Sequence, residues 1–365
     1  MRFSLPLYVI ALFFSCQTKE SVQSQNWQLA GFEKTDPVNP VLLPDTSSLF
    51  FDPIRKDMVK WEAKDVFNPA SVVRNDTLFL LYRAEDFEGQ YNGTSRIGLA
   101  WSIDGQHFTR KKEPVFYPQN DAFQHLEWEG GAEDPRIVED GQGRYIMTYT
   151  AYDGNLARLL IATSDDLLNW TKYGSVFEKE NDINQWSKSG SILCQVQGSK
   201  LVATRVNGSY WMYFGDTDIF LAYSDDLISW NPVTDTNGSW QAVLSPRKGK
   251  FDSNLVEPGP PALLTKNGVL LIYNSRNHEE YGDKNLADGT YAAGQALFSL
   301  ENPAQLTERS DTYFFKPDRP YELTGQVNNV CFVEGLSFYK SRWFLYYGTA
   351  DSKIAVAVSS ANLPL

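Results

Sequence analysis

The chain has 365 residues and a formal net charge of −12 at pH 7, and it has no run of lysine and arginine residues longer than the three of Arg110-Lys111-Lys112. Such a chain repels a phosphate backbone, so nucleic acid is excluded as a partner. Its three histidines, His107, His125 and His278, lack the spacing of metal ligands, and no glycine-rich phosphate loop occurs. We therefore expect neither a metal site nor a cofactor.

The N-terminal segment resembles the export signal of a bacterial lipoprotein. Arg2 precedes an apolar run from Leu5 to Phe14, which is too short to span a bilayer. The run ends at Ser15-Cys16, a small residue directly before a cysteine, as in a lipobox. We predict that residues 1–16 are a signal peptide ending at a lipidated Cys16, and that this lipid alone anchors the exported protein, at the outer membrane. An ordinary cleaved secretory signal is the alternative, and it also predicts export.

Residues 17–60 are predicted to be an N-terminal linker or extension. Beyond the N-terminal run, no apolar segment is long enough to cross a membrane. The two other cysteines, Cys194 and Cys331, lie in apolar, strand-like runs. This context favours free, buried thiols over a disulfide.

One motif occurs five times in the rest of the chain. Each copy consists of a short apolar strand, a serine, an acidic or polar turn, and then an apolar or aromatic residue. The copies are IGLAWSIDGQHF from Ile97, LLIATSDDLLNW from Leu159, IFLAYSDDLISW from Ile219, GQALFSLENPAQL from Gly294 and IAVAVSSANLPL from Ile354. Because each serine and its acidic neighbours follow a strand directly, they predict hairpin turns.

An aromatic-rich strand precedes each copy of this motif, and a further strand precedes that one. In chain order these pairs are FNPASVV with LFLLYRAED, EDPRIVE with YIMTYTAYD, SGSILCQ with YWMYFGDTD, EPGPPALL with VLLIYNSRN, and NNVCFVE with WFLYYGTAD. Alternating apolar residues and aromatic enrichment are typical of strands. Five repeats of about four strands each predict an all-β fold, a five-bladed β-propeller formed by residues 61–365.

The propeller arrangement predicts where polar residues converge. The first strand of each blade lines the central channel, so the beginnings of these strands should meet on one face of the ring. The residues placed there are Asn68, Glu133-Asp134, Ser189, Glu257 and Asn328-Asn329. The ends of the second strands add Arg83, Glu85, Asp86, Tyr152, Asp153, Asp216, Asn274, Arg276 and Asp351. The sequence thus predicts one carboxylate-rich pocket.

A carboxylate-rich pocket without metal ligands or a nucleophile triad suits glycoside cleavage. In inverting hydrolysis, one protonated carboxyl donates to the leaving oxygen, and a carboxylate ~6.5–9.5 Å away activates water. Crowding of like charges is expected to raise the pKa of the acid. A glycan-binding propeller without turnover is the alternative, because aromatic residues also stack on sugars.

Eight segments resemble, in order, the motifs of glycoside hydrolase family 130. They are FNPASVV, LYRAED, IGLAWSIDGQHF, GGAEDPRIV, YTAYDG, GPPALL, LLIYN and YYGTAD, and they extend from about Asn68 to Val356. That family comprises β-mannoside phosphorylases and β-1,2-mannosidases on five-bladed propellers. The resemblance therefore implies a manno-oligosaccharide substrate.

The resemblance also implies roles for individual residues. Asp134 matches the general acid, which in the phosphorylases is proposed to protonate the leaving oxygen through a sugar hydroxyl. The substrate-binding positions are matched by Asn68, Arg83, Asp86 and Asp351, and placement at second-strand ends adds Asp153 and Asn274.

The third repeat departs from the phosphorylase pattern. Phosphorylases hold phosphate with arginines on both sides of a strand, whereas this chain has Gly215-Asp216 at one of these places and no arginine at the other. Asp216 and Glu257 would repel a phosphate dianion, and the β-1,2-mannosidases are acidic at both places. The resemblance implies inverting hydrolysis with Glu257 as base, assisted by Asp216, which replaces a glutamate. A phosphorylase is the alternative, because Lys188 and Arg205 could rebuild a phosphate site.

Overall fold

The computed structural model describes residues 27–360, so the predicted signal peptide and Cys16 lie outside the described residues. Within this range the chain forms 26 strands and three helices of four residues each. The predicted all-β class is confirmed. Between residues 27 and 360, no helix has the length and apolar character needed to cross a bilayer.

The first part of the described chain leads into two groups of antiparallel strands, which a parallel pairing of Ser95 with Gly131 joins in one larger sheet. Three short strands come first: β1 (Glu33–Lys34), β2 (Phe50–Asp52) and β3 (Asp57–Val59). The first repeat, unit 1, consists of β4 (Asp65–Arg74), β5 (Thr77–Glu85), β6 (Ser95–Ser102) and β7 (Thr109–Arg110). After helix α1 (Gln124–Glu127), unit 2 consists of β8 (Gly131–Glu139), β9 (Tyr145–Tyr152), β10 (Ala157–Ser164) and β11 (Thr171–Ser175).

Three further repeats follow. Helix α2 (Glu180–Ile183) precedes unit 3, formed by β12 (Ser191–Ile192), the hairpin β13 (Cys194–Gln197) and β14 (Lys200–Ala203), β15 (Tyr210–Phe214), β16 (Ile219–Ser224), β17 (Asn231–Pro232) and β18 (Ala242–Leu244). Unit 4 consists of β19 (Leu255–Pro258), β20 (Leu263–Thr265), β21 (Gly268–Arg276), β22 (Tyr291–Phe298) and β23 (Leu306–Arg309). Helix α3 (Pro320–Leu323) precedes unit 5, formed by β24 (Cys331–Tyr339), β25 (Arg342–Thr349) and β26 (Lys353–Ser359).

The segment before the repeats packs on the last of them. Strand β1 pairs antiparallel with β26 and adds an outer strand to unit 5. Leu42 forms a further bridge to Ile354 of the same unit, and Trp27 and Leu29 are buried in the core. Residues 27–60, which lie within the predicted extension, therefore pack the beginning of the described chain against its last unit.

The five units contact one another in cyclic order. Strand β4 contacts β8, β8 contacts β14, β13 contacts β20, β22 contacts β24, and β24 contacts β4 again. Apolar side chains fill the boundaries: Tyr82 and Tyr346 between units 5 and 1, Tyr149 between units 1 and 2, and Tyr273 between units 3 and 4. Because each unit buries both faces against its neighbours, the inner strands are held around one centre.

Three of the predicted hairpin turns share one hydrogen-bond pattern. In unit 1, the Ser102 hydroxyl donates to Asp104 Oδ1 at 2.8 Å and accepts from the Gly105 N–H at 2.9 Å. Ser164 with Asp166, and Ser224 with Asp226, repeat these contacts in units 2 and 3. The prediction that these elements are turns is confirmed. The prediction of free, buried thiols at Cys194 and Cys331 is also confirmed.

Candidate active site

The inner strands of units 1, 2 and 5 carry β-bulges at equivalent places. The bulges lie at Asn68 in β4, after Glu133 in β8, and at Glu334 in β24. Asn68 and Asp134 have φ angles of 46° and 47°, in the left-handed region that Asn and Asp tolerate better than most residues. A β-bulge interrupts the regular alternation of side chains along a strand and so changes the direction of one side chain. Bulges are frequent next to active sites. Here they gather polar groups from three units.

Asp134 is buried among the cations of the site. Its Oδ1 accepts hydrogen bonds from Asn68 Nδ2 at 3.0 Å and from Arg83 Nη1 at 3.3 Å, and its Oδ2 lies 3.7 Å from Lys188 Nζ. Burial alone raises the pKa of Asp134, but the charges of Arg83, Lys188 and Arg136 outweigh it and lower the pKa to about 2. In the free site Asp134 is therefore a carboxylate.

Arg83 brings several carboxylates together. Its Nη2 lies 2.7 Å from Glu85 Oε1 and 3.0 Å from Glu133 Oε1. Asp351, at the end of β25, interacts electrostatically with the same guanidinium, and its burial raises its pKa to about 7 despite that cation. Unit 5 thus contributes a carboxyl that titrates near neutral pH.

Glu257 forms the unit 4 side of the site. The Ser189 hydroxyl donates to Glu257 Oε1, and Lys188 interacts electrostatically with both Glu257 and Asp134. Burial, opposed by Lys188 and reinforced by the negative charge of Asp216, raises the pKa of Glu257 to about 7. Asp216 accepts a hydrogen bond of 2.7 Å from Trp186 Nε1. Lys188 therefore joins the predicted base to the predicted acid.

Arg136, on the inner strand of unit 2, contacts residues of two other units next to these groups. It is only 2% exposed, and it donates from Nε to the Gly259 carbonyl and from Nη2 to the Pro258 carbonyl, both at 2.7 Å. Its Nη2 also lies 3.5 Å from Oε2 of Glu334. Burial raises the pKa of Glu334 well above its usual range despite this cation. Arg136 thus ties unit 2 to units 4 and 5.

The ionisation of the free site differs from the prediction. Crowding was expected to raise the pKa of the acid, Asp134, but the pKa of Asp134 is lowered, because Arg83 and Lys188 are close to it. The raised carboxyl pKa values belong instead to Glu257, Asp351 and Glu334, for which burial is the largest cause. A role for Asp134 as proton donor therefore requires a change in its surroundings when substrate binds.

Two predicted substrate-binding aspartates stabilise turns. Asp86 is fully buried; its Oδ1 accepts from three backbone N–H groups, and its Oδ2 pairs with Arg96 Nη1 at 2.6 Å. Asp153 accepts from two backbone N–H groups and pairs with Arg158 Nη1 at 2.6 Å. In the free protein the polar contacts of both aspartates are those of a turn, and their contact with substrate stays a prediction.

Asn274 and Asn328-Asn329 occupy places that the sequence did not predict in detail. Asn274 is fully buried, and its amide accepts from the Val333 N–H at 2.8 Å and donates to the Val333 carbonyl at 2.9 Å. In the free protein it therefore links units 4 and 5, and its contact with substrate stays a prediction. The inner residue of unit 5 is Glu334 at the bulge of β24, whereas Asn328-Asn329 precede that strand.

The structure thus brings together Asn68, Arg83, Asp134, Asp216, Glu257 and Asp351. The sequence did not single out Arg136 or Glu334, and it presented Lys188 only as a possible phosphate ligand. Arg205 was the second possible phosphate ligand. Its side chain is 43% exposed, and its guanidinium donates a hydrogen bond to the Gly208 carbonyl and lies over the ring of Tyr210.

Across residues 27–360, no three side chains of the metal-binding types are placed to share an ion. The site offers paired carboxylic groups around one lysine, an arrangement suited to proton transfer.

Comparison with known proteins agrees with this chemistry. Residues 46–363 match the sequence profile of glycoside hydrolase family 130, described as beta-1,4-mannooligosaccharide phosphorylase. A curated relative, the 1,2-beta-oligomannan phosphorylase of Thermoanaerobacter sp. (strain X514), is 31% identical over 328 residues, which cover 87% of this chain and 94% of the relative.

Solved structures resemble the chain more closely. A glycosyl hydrolase from Bacteroides ovatus is 47% identical, with a TM-score of 0.89 over 92% of this chain and 95% of that one. Another structure, 44% identical with a TM-score of 0.90 over 94% of this chain and 99% of that one, comes from work on family members described as glycoside hydrolases that target beta-1,2 mannosidic linkages in Candida mannan. This chain belongs to glycoside hydrolase family 130.

Proposed function

We propose that this protein is a β-mannosidase that hydrolyses β-1,2-mannosidic bonds in manno-oligosaccharides with inversion, on a five-bladed β-propeller. The cyclic contacts of five antiparallel units support the propeller. One observation carries the choice of hydrolysis: Glu257 and Asp216 interact with each other beside Lys188. A phosphorylase would need more positive charge in this part of the site than Lys188 alone supplies, because Glu257 and Asp216 oppose it.

In the proposed reaction, water attacks the anomeric carbon while the bond to the leaving sugar oxygen breaks. Glu257 accepts the proton of the attacking water, and Asp216 helps to hold that water. As substrate binds, Asp134 takes up a proton from solvent, and it then delivers a proton to the leaving oxygen through a sugar hydroxyl, as the family resemblance implies. The proton that Glu257 accepts returns to solvent when the products leave. A bound sugar would separate Asp134 Oδ2 from Lys188 Nζ, now 3.7 Å apart, and would exclude water; both changes raise the pKa of a carboxyl. This supplies the change in surroundings that a proton donor requires.

Phosphorolysis is the second candidate, because Lys188 is a buried cation at the site and curated relatives are named as phosphorylases. Against it, Arg205 bonds to backbone carbonyls near its own hairpin. A phosphate dianion next to Glu257 and Asp216 would meet like charges in a partly desolvated site. One lysine is already shared by Asp134 and Glu257.

Product analysis separates the two reactions. We expect β-1,2-mannobiose and longer β-1,2-mannosides to be cleaved at the same rate with and without inorganic phosphate, and to release free mannose. Chromatography of the products and NMR of the anomeric configuration provide the measurement. Mannose 1-phosphate, or a strict need for phosphate, would establish the phosphorylase. Binding without any product would establish a glycan-binding protein.

We also propose that the protein is exported and anchored through a lipid on Cys16. The apolar run before Ser15-Cys16 supports this proposal, and neither Cys194 nor Cys331, both buried, is placed for acylation. In a bacterial host, metabolic labelling with a fatty acid should tag the wild type and leave Cys16→Ala unlabelled. Persistent labelling of Cys16→Ala would refute the anchor. Soluble, shortened wild-type protein without label would indicate an ordinary secretory signal.

A further inference from the structure

Three partly exposed aromatic rings form a row beside the site. Tyr91, in the loop after β5, lies 5.9 Å from Tyr152 at the end of β9, and Tyr152 lies 6.4 Å from Trp186, between ring centroids. Tyr91 is 41% and Trp186 47% exposed. The row draws one ring from unit 1, one from unit 2, and one from the segment that enters unit 3.

The row is connected to the chemistry at one end. The Trp186 indole N–H donates to Asp216 Oδ2 at 2.7 Å, and Asp216 acts electrostatically on Glu257. The rings extend from this point towards Tyr91, which belongs to the loop that Asp86 stabilises. The aromatic row is therefore continuous with the proposed catalytic site.

The rings are fixed in place although they are exposed. Tyr91 packs directly on Gly154 and Tyr152 on Gly130, so closely that neither glycine has room for a Cβ. The successive rings meet at interplanar angles of 70° and 64°, an edge-to-face arrangement that is favourable for aromatic pairs. An aromatic surface that is exposed and held rigid in this way is typical of ligand binding rather than of core packing.

We propose that the row formed by Tyr91, Tyr152 and Trp186 is a binding platform for mannosyl units beyond the bond that is cleaved. This inference rests on the proposed function and adds a chain-length preference to it. Pyranose rings present apolar C–H faces that pack on aromatic rings, while their hydroxyl groups remain in water. In this proposal a disaccharide held at the catalytic carboxylates ends before Tyr91, whereas a longer oligosaccharide covers the row.

Tyr91 provides the clean test, because it is the ring farthest along the row from Asp216. We expect Tyr91→Ala to lower kcat/KM for β-1,2-mannotetraose roughly 3- to 10-fold, as the loss of one aromatic contact implies. The kcat/KM for β-1,2-mannobiose should stay within about twofold of the wild type. Tyr91→Phe, which keeps the ring, should behave as the wild type with both substrates.

Tyr173 is the matched control, since it is 42% exposed but lies on the outer strand β11. Tyr173→Ala should leave the kcat/KM values for mannobiose and mannotetraose unchanged. The platform proposal would be overturned if Tyr91→Ala lowered kcat/KM equally for mannobiose and mannotetraose, or lowered it for neither.

Binding to an inactive variant separates this proposal from the proposed function. Calorimetry with Asp134→Asn should show tighter binding of mannotetraose than of mannobiose, and adding Tyr91→Ala should remove that difference. If Asp134→Asn binds no β-mannoside of any length, the proposed function fails. If it binds both lengths equally, the proposed function stands and the platform is refuted.

Discussion

Asp134→Asn should reduce turnover of β-1,2-mannobiose by about 10²–10⁴-fold, the usual contribution of general acid catalysis. The amide keeps the size of the side chain and can still accept hydrogen bonds from Asn68 and Arg83. Asn also tolerates the φ of 47° at this position. Folding should therefore survive, and the loss should appear in kcat with the melting temperature almost unchanged.

Asp153→Asn is the matched control for this variant. It is the same chemical change in the same unit, but Asp153 pairs with Arg158 and caps a turn. We expect a lower melting temperature and activity within about twofold of the wild type. Near-wild-type turnover of mannobiose by Asp134→Asn would refute the catalytic role.

The leaving group then identifies the step that Asp134 serves. Aryl β-mannosides with good leaving groups need little proton donation, so they should restore much of the activity lost in Asp134→Asn. They should not rescue Glu257→Gln, because attack by water still needs a base. Equal defects on both kinds of substrate in Asp134→Asn would show that Asp134 does not donate the proton.

Glu257→Gln should also lose about 10²–10⁴-fold in activity, and here the pH dependence is diagnostic. Glu257 has a pKa of about 7 in the free site, and a base must be ionised to act. The pH profile of kcat/KM reports on the free enzyme, in which Asp134 is ionised because its pKa is lowered to about 2. The reacting form, with a proton on Asp134 and none on Glu257, therefore carries the same single proton as the free site between about pH 2 and 7. The wild-type kcat/KM should be level up to about pH 7 and fall as pH increases through about 7, and this fall should be absent from the residual activity of Glu257→Gln.

Asp351 supplies the control for that profile, because its pKa is also raised to about 7 by burial. Asp351→Asn should weaken substrate binding yet retain the fall of kcat/KM through pH 7. Disappearance of this fall in Asp351→Asn would assign the titration to Asp351. A wild-type kcat/KM that rises through pH 7 would contradict the ionisation assigned to Asp134 and Glu257 in the free site.

The repeat pattern was sufficient to predict the strands and several site residues. Asn68, Asp134, Glu257 and Arg83 stand at the ends of inner or second strands, where a fivefold repeat brings chain segments together. Glu334 was not predicted as a site residue because it lies within the apolar run CFVEGL, where the alternation of apolar and polar residues does not indicate a bulge. The bulge, not the pattern, directs this carboxyl to Arg136.

Strand-end position alone did not separate substrate contacts from structural ones. Asp86 and Asp153 follow their strands as Asp351 does. However, Asp86 forms an ion pair with Arg96 and Asp153 with Arg158, and each pair closes the loop that joins its two residues. Asn274 is paired with the Val333 backbone across a unit boundary. These partners depend on loop conformation and on packing between units, which local sequence does not specify.

The contacts of Arg136 limit how a sugar chain can approach. A ring of five units could have an open axis, but here one guanidinium spans from β8 to the carbonyls of Pro258 and Gly259, with Glu334 packed against it. A polysaccharide threaded along the axis would have to displace this guanidinium from both carbonyls. We therefore expect the proposed enzyme to receive a sugar chain from one side only, by its end. Cleavage would then release terminal sugars one at a time, while the rest of the chain stays outside the site.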